Sequence, residues 1–297
     1  MNHLNDRLRA AVMRSDTATM RACLQLGVNI NTPNESGWTA LHFACSYAKA
    51  GIARLLIDSG SNVDAEDNAG MTPLHVAATG GRPDIVRLLL VAGGTPEKRD
   101  QSGVTPLLYA AGSGNADAAR MMLEAGARAD VTDELGYTAL HWATGNKSAR
   151  IARLLLRAGV PLHALEAEGM TALHLATITR NTAMVRFLLG AGIQVDKQNN
   201  TGLTALHIAA RCGDLPTAAL LLNNGANMNM ANEDGDTPLS FVGAHGNSEM
   251  RRLLVQAEKS EDQASGGPAA PYIWHRVADR LRAAGQRQLH ARYLRIA

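Results

Sequence analysis

The chain has 297 residues, a formal net charge of +2, and a composition that is 46% hydrophobic but only 4% aromatic. No apolar run approaches the about 18 residues of a membrane-spanning helix. The first residues are polar, so we also expect no secretory signal. The three cysteines, an odd number without metal-binding spacing, favour a reducing compartment, so we expect a cytoplasmic or nuclear protein.

In chain order, residues 1–33 are predicted to form a degenerate first repeat. Leu8, Ala11 and Leu24 match the repeat positions of the later units, but Asp6 occupies the position that is threonine in each of them. From residue 34 to residue 258 the chain repeats seven times with a period of 33 residues. An unbroken period predicts stacked identical units, and a divergent terminal repeat is expected where the stack meets water. The recurring threonines are Thr39, Thr72, Thr105, Thr138, Thr171, Thr204 and Thr237.

Each repeat predicts a turn followed by two antiparallel helices, as residues 67–99 illustrate. Gly70 supplies a turn, Thr72 caps the first helix, and Pro73 occupies its first position, where a missing N–H costs nothing. A second helix follows at roughly residues 83–91, and Gly93 ends it as a left-handed cap.

Four segments carry a resemblance to a known family: G-M-T-P-L-H-V-A-A (70–78), G-Y-T-A-L-H-W-A-T (136–144), G-M-T-A-L-H-L-A-T (169–177) and G-L-T-A-L-H-I-A-A (202–210). They resemble the signature of ankyrin repeats. The resemblance implies an all-α ankyrin-repeat solenoid, with hairpin-like finger loops between the helix pairs. It also implies a non-enzymatic module that binds other proteins.

A histidine three residues after the threonine suggests metal or acid–base chemistry at first sight. Equivalent atoms of successive packed helices lie roughly 8–10 Å apart, whereas zinc needs four ligands about 2 Å from one ion. The family resemblance implies a structural role, in which each histidine bonds the threonine and the neighbouring turn. These structural histidines are His42, His75, His141, His174 and His207.

No motif of catalysis or nucleotide binding occurs, so we expect no catalytic residue, cofactor, metal or small-molecule substrate. A ladder of arginines at positions 54, 87, 120, 153, 186 and 252 suggests nucleic acid, but nearby acids favour a solvated helix face.

We expect the variable surface to bind a protein partner, with the chain itself a monomer. In the family this surface is a concave groove lined by the fingers and by the ends of the first helices. Exposed apolar, aromatic and methionine side chains are typical of interfaces, although such residues could also pack against each other between fingers. The predicted partner-binding residues are Trp38, Tyr47, Met71, Val104, Leu135, Tyr137, Met170, Ile178, Leu203 and Arg211. Phe43, Tyr109, Trp142 and Phe241, one residue after the histidine column, are predicted to be core.

Two further features remain. The resemblance implies that Asn229, which closes a repeat, is a candidate for asparaginyl hydroxylation. Residues 259–270 read as a flexible linker, and residues 271–297, with six arginines against one aspartate, as a basic amphipathic helix. That helix could cap the array, bind a partner, or direct an effector-type regulator to an anionic membrane or nucleic acid.

Overall fold

The structure is a computed structural model that describes residues 2–47, 49–146, 149–242 and 248–264, with the backbone alone for Asn2 and residues 258–264. The described residues are helices joined by loops, with one isolated β-bridge, between Thr132 and Thr138. They divide into two compact units, Met1–Gln194 and Val195–Ala297. The predicted C-terminal helix, residues 271–297, lies outside the described residues.

The first unit contains six helix pairs. The first helices are α1 (Asn2–Arg14), α3 (Ala40–Ser46), α5 (Pro73–Thr79), α7 (Pro106–Ser113), α9 (Ala139–Ala143) and α11 (Ala172–Ile178). The second helices are α2 (Thr17–Gln25), α4 (Ala50–Asp58), α6 (Pro83–Val91), α8 (Ala116–Glu124), α10 (Ala149–Arg157) and α12 (Thr182–Gly190). The second unit contains α13 (Ala205–Cys212), α14 (Leu215–Leu222) and α15 (Ser248–Ala264).

Local capping explains where these helices begin. Thr72 has an extended backbone (φ −92°, ψ 166°), and Pro73 follows it at the first helical position of α5. Asn115 caps α8 by accepting a hydrogen bond from the Ala118 N–H at 3.0 Å. Helices α2 to α14 have only five to nine residues and are too short to be stable alone, so the repeats hold their form by packing on their neighbours.

The core of the first unit is built from one small set of in-phase aliphatic residues. Leu74 on α5 and Leu107 on α7, the first helices of successive repeats, are fully buried. Ile85 and Leu89 on α6 are fully buried too. Helix α7 packs between α5 and α9, and α8 lies next to α6. Burial of a leucine side chain stabilises a fold by about 1.5–3 kcal/mol. These buried residues therefore contribute to the free energy that holds neighbouring repeats together.

Finger loops separate the helix pairs. Fingers one to seven are residues 33–38, 66–71, 99–104, 132–137, 165–170, 198–203 and 231–236. In finger two the Asp67 N–H donates to the Met71 carbonyl at 2.9 Å, and the Gly70 N–H donates to the Asp67 carbonyl at 2.9 Å. Gly70 has φ +78°, which other residues rarely adopt, and an added Cβ would lie only 3.2 Å from the Asp100 Cα. Both the backbone conformation and the close contact therefore favour glycine at this position.

The last repeat differs from the predicted helix pair. Residues 238–242 form turns rather than a first helix, and residues 243–247 lie outside the described residues. Ser240 replaces the histidine, and its Oγ accepts from the Thr237 N–H at 3.3 Å while its own N–H donates to the Thr237 carbonyl at 2.9 Å. These bonds close tight turns in place of helical ones.

Helix α15 also extends through Ala264, six residues into the segment that the sequence predicts to be a linker. Residues 259–264 contain neither glycine nor proline, and Gly266 is the first helix breaker along the chain. Good helix formers therefore continue α15 even where no apolar residue remains to be buried.

Candidate functional site

In four repeats a histidine joins the first helix to the finger that follows it. The Thr72 N–H donates to His75 Nδ1 at 3.0 Å, and His75 Nε2 lies 3.1 Å from the Val104 carbonyl oxygen. Because Nδ1 accepts from a backbone N–H, the ring is neutral with its proton on Nε2, from which it donates to that carbonyl. His75 thus ties the second repeat to the third.

The same geometry recurs at His42 and His141, whose Nε2 atoms lie 3.0 and 3.2 Å from the carbonyl oxygens of Met71 and Met170. In the second unit, His207 Nε2 lies 3.1 Å from the Asp236 carbonyl oxygen. At His174 the Thr171 N–H donates to Nδ1 at 3.1 Å.

Burial dominates the titration of these rings. Desolvation lowers the pKa of His42, His75, His141 and His207, although the hydrogen bond to the next finger and nearby carboxylates act in the opposite direction. Across the described part of the chain, no group of three or more His, Cys, Asp or Glu side chains is placed to hold a metal ion.

The three cysteines differ in burial: Cys23 and Cys45 are buried, and Cys212 is half-buried. Burial raises the pKa of the Cys45 thiol far above its usual range, so it stays protonated.

The finger column predicted to bind a partner divides by burial. In the first unit, Trp38, Met71, Tyr137 and Met170 are half-buried. Val104 is only 3% exposed, so its assignment to the binding surface is wrong. The valine side chain is short and is covered by its neighbours, whereas the longer side chains in the same column remain partly exposed.

The remaining predicted contact residues of the first unit are more accessible. Tyr47, at the end of α3, is 50% exposed, and Leu135, in finger four, is 61% exposed. Ile178, the last residue of α11, is half-buried.

In the second unit, Leu203 is half-buried and Arg211 is exposed. Asn229 is also exposed, and its N–H donates to Asn227 Oδ1 at 2.8 Å.

Sequence reasoning missed a set of aromatic residues, because it assigned Phe43, Tyr109 and Trp142 to the core. All three are half-buried rather than buried. Aliphatic residues in the same column are buried, with Val76 at 7% and Leu175 at 6% exposure. The rings are too large for the space that an aliphatic side chain fills, so part of each one remains at the surface. Phe241, in the second unit, is half-buried for the same reason.

We call Trp38, Phe43, Tyr109, Tyr137 and Trp142 the aromatic row. The Trp38 and Phe43 rings are 5.1 Å apart, and the Tyr109 and Trp142 rings are 5.7 Å apart, both in edge-to-face orientation. Such pairs contribute about 0.5–1.5 kcal/mol beyond their buried area. The signal available in the sequence was that one column contains both aromatic and aliphatic residues.

Finger carboxylates orient the polar atoms of this row. Asp67 Oδ2 accepts from Trp38 Nε1 at 2.9 Å, Asp100 Oδ2 accepts from the Tyr109 hydroxyl at 2.7 Å, and Asp133 Oδ2 accepts from Trp142 Nε1 at 3.0 Å. In each finger the other oxygen accepts two backbone N–H groups of the same loop, as Asp133 Oδ1 does from Leu135 and Tyr137. These bonds orient the rings of Trp38, Tyr109 and Trp142.

One glycine makes room for the largest ring. An added Cβ on Gly112 of α7 would lie 2.8 Å from Trp142 Cε3, closer than real Cβ contacts allow. Trp142, on α9, therefore packs directly against the backbone of α7 in the preceding repeat. Tyr109, also on α7, lies beside the Trp142 ring.

A family model matches most of the sequence. The model for ankyrin repeats (3 copies) matches residues 8–100, 90–164, 125–199, 146–232 and 191–266, which together cover residues 8–266. The chain belongs to the ankyrin-repeat family. The predicted all-α ankyrin-repeat solenoid is confirmed. No curated protein matches the chain in sequence.

A solved ankyrin structure supports the assignment. The crystal structure of the human ASB11 ankyrin repeat domain is similar to this chain, with a TM-score of 0.70 and 27% sequence identity. The similarity covers 78% of this chain and 100% of that domain. Ankyrin repeats are generally protein–protein interaction modules and typically have no catalytic activity.

The second helices of this ankyrin array present a different surface. Arg54, Arg87 and Arg120 line a shallow groove of about 610 Å³ over α4, α6 and α8. Asp84 and Asp117 line it too, and Arg120 pairs with Asp117 at 3.6 Å. The groove carries charges of both signs and is a poorer candidate site than the aromatic row. Among the described helices, none is long and apolar enough to cross a membrane.

Proposed function

We propose that this ankyrin-repeat protein is a non-catalytic adaptor that binds a partner protein through the aromatic row and the adjoining fingers. The observation that carries the proposal is the partial exposure of the row. Aliphatic residues in the same column complete the core at Val76 and Leu175, so the half-exposed rings of Tyr109 and Trp142 are not needed to fill it. Rigid aromatic side chains dominate the energetics of many interfaces.

Preorganisation supports this function. Because the carboxylates of Asp67, Asp100 and Asp133 already hold the Trp and Tyr polar atoms, ordering these rings costs no additional side-chain entropy on binding. Buried reduced thiols at Cys23 and Cys45 favour action in the cytoplasm or nucleus.

The test compares two members of one column that differ in burial. Tyr137→Ala should weaken partner binding by roughly 1–2 kcal/mol with little change in the melting temperature. Val104→Ala should lower stability by about 1–3 kcal/mol while leaving partner affinity unchanged for the folded fraction.

Partners would be recovered by affinity purification of the full chain and of both variants, and the affinity of each recovered partner measured by calorimetry. Equal affinities for wild type and Tyr137→Ala, or unfolding of that variant in circular dichroism melts, would rule out this surface.

A further inference from the structure

Fingers four and five differ from the other fingers in exposing large apolar side chains. Leu135 is 61% exposed and Leu165 is 43% exposed. The positions equivalent to Leu135 in fingers one to three hold Ser36, Ala69 and Ser102. The repeat does not require a leucine there, so its exposure is a property of this chain rather than of the scaffold.

The two fingers are fixed to each other. The Ala167 N–H donates to the Leu135 carbonyl at 2.9 Å, and His141 Nε2 lies 3.2 Å from the Met170 carbonyl oxygen. Glu166 is 5% exposed, and its Oε1 accepts the N–H groups of Glu168 and Met170 at 3.0 and 2.9 Å. Both loops therefore present their side chains from a rigid base.

Their charge is also one-sided. Residues 132–137 and 165–170 contain four carboxylates and neither lysine nor arginine. Asp133 and Glu166 bond the backbone of their own loops, whereas Glu134 and Glu168 are exposed and form none of the ion pairs found among the described residues. The neighbouring Arg99 is held by the carbonyl oxygens of Gly103 and Thr132.

We propose that fingers four and five bind a partner segment in which an apolar side chain is flanked by lysine or arginine. The leucines would bury the apolar anchor, and Glu134 and Glu168 would meet the cationic groups beside it. This inference rests on the proposed function and names the chemistry of the partner at one part of its surface.

Finger seven offers a matched control within the chain. Glu233 occupies the position equivalent to Glu134, and Asp234 the position equivalent to Glu168. Both are exposed, but residues 231–236 contain no large apolar side chain. Finger seven thus carries exposed carboxylates at the two equivalent positions, and a third at Asp236, without the leucines.

The experiment uses the full chain and three fluorescein-labelled synthetic peptides, with affinities measured by fluorescence anisotropy. In the first peptide leucine alternates with lysine, in the second serine replaces leucine, and in the third glutamate replaces lysine. We expect only the first peptide to bind. Glu134→Gln combined with Glu168→Gln should weaken it roughly two- to thirtyfold, and Leu135→Ser should weaken it at both low and high salt.

Three results would overturn the inference. One is equal binding of the serine peptide, which would mean that charge alone attracts the probe. Another is an equal loss of binding in the Glu233→Gln, Asp234→Asn control, and the third is no binding of the first peptide. If any of these occurs while Tyr137→Ala still weakens natural partners, the inference fails and the proposed adaptor function stands.

Discussion

Acid should unfold the first unit through its buried histidines. His42, His75 and His141 are each at most 2% exposed, and each accepts a backbone N–H at Nδ1. A proton added at Nδ1 would remove that acceptor and place a charge in a buried site. Burial lowers the pKa of all three rings, whereas in the unfolded chain each returns to about 6.5.

The sign and size follow from proton linkage. Below pH 6.5 the unfolded chain binds more protons than the folded chain, so stability present at neutral pH is lost as the pH falls. Between pH 7.5 and pH 5.5 each histidine costs at most about 1.4 kcal/mol, and the three together at most about 4 kcal/mol. That loss is a large fraction of the stability of a typical domain.

The assay is urea unfolding of the full chain at pH 7.5, 6.5 and 5.5, followed by circular dichroism. His75→Leu is the informative variant, because Leu108 already occupies the equivalent position and is fully buried. It should lower stability by about 1 kcal/mol at neutral pH through loss of the threonine–histidine bonds. It should also reduce the loss of stability on acidification, by at most about 1.4 kcal/mol. If wild type and His75→Leu lose the same free energy between pH 7.5 and pH 5.5, the histidine explanation is refuted.

Three further predictions concern particular positions. Gly112→Ala should destabilise the chain by about 1–3 kcal/mol, because its Cβ would overlap the Trp142 ring. Gly145→Ala is the control, because a Cβ at this equivalent position would have no neighbouring atom within 4 Å and should not destabilise the chain. Thermal melts of the two variants test the difference. Arg180 has φ +52°, a conformation that glycine adopts more easily, so Arg180→Gly should raise the free energy of unfolding by up to about 1 kcal/mol. Urea unfolding measures this as a higher midpoint, and an unchanged or lower midpoint would contradict it. Cys212 should react with a thiol reagent before the two buried cysteines, and simultaneous reaction of all three would show that the fold opens first.

The sequence alone determined the repeat, its helices and its family, because those features depend on residues close together in the chain. Threonine, proline and glycine act on the backbone within a turn or two of their own position. The second helix expected at roughly residues 83–91 is Pro83–Val91 in the structure. Residues 259–264, which the composition predicts to be linker, continue α15 in the structure.

Only the tertiary structure decided which side chains of a column are buried and which remain partly exposed. Val104 and Tyr137 occupy equivalent positions, yet one is buried and the other half-exposed. Trp142 fits against α7 because Gly112, thirty residues earlier, has no side chain, and Asp133 accepts the indole N–H. A repeat period specifies equivalent backbone positions, whereas burial depends on the size of each side chain and on the side chains that neighbouring repeats place against it.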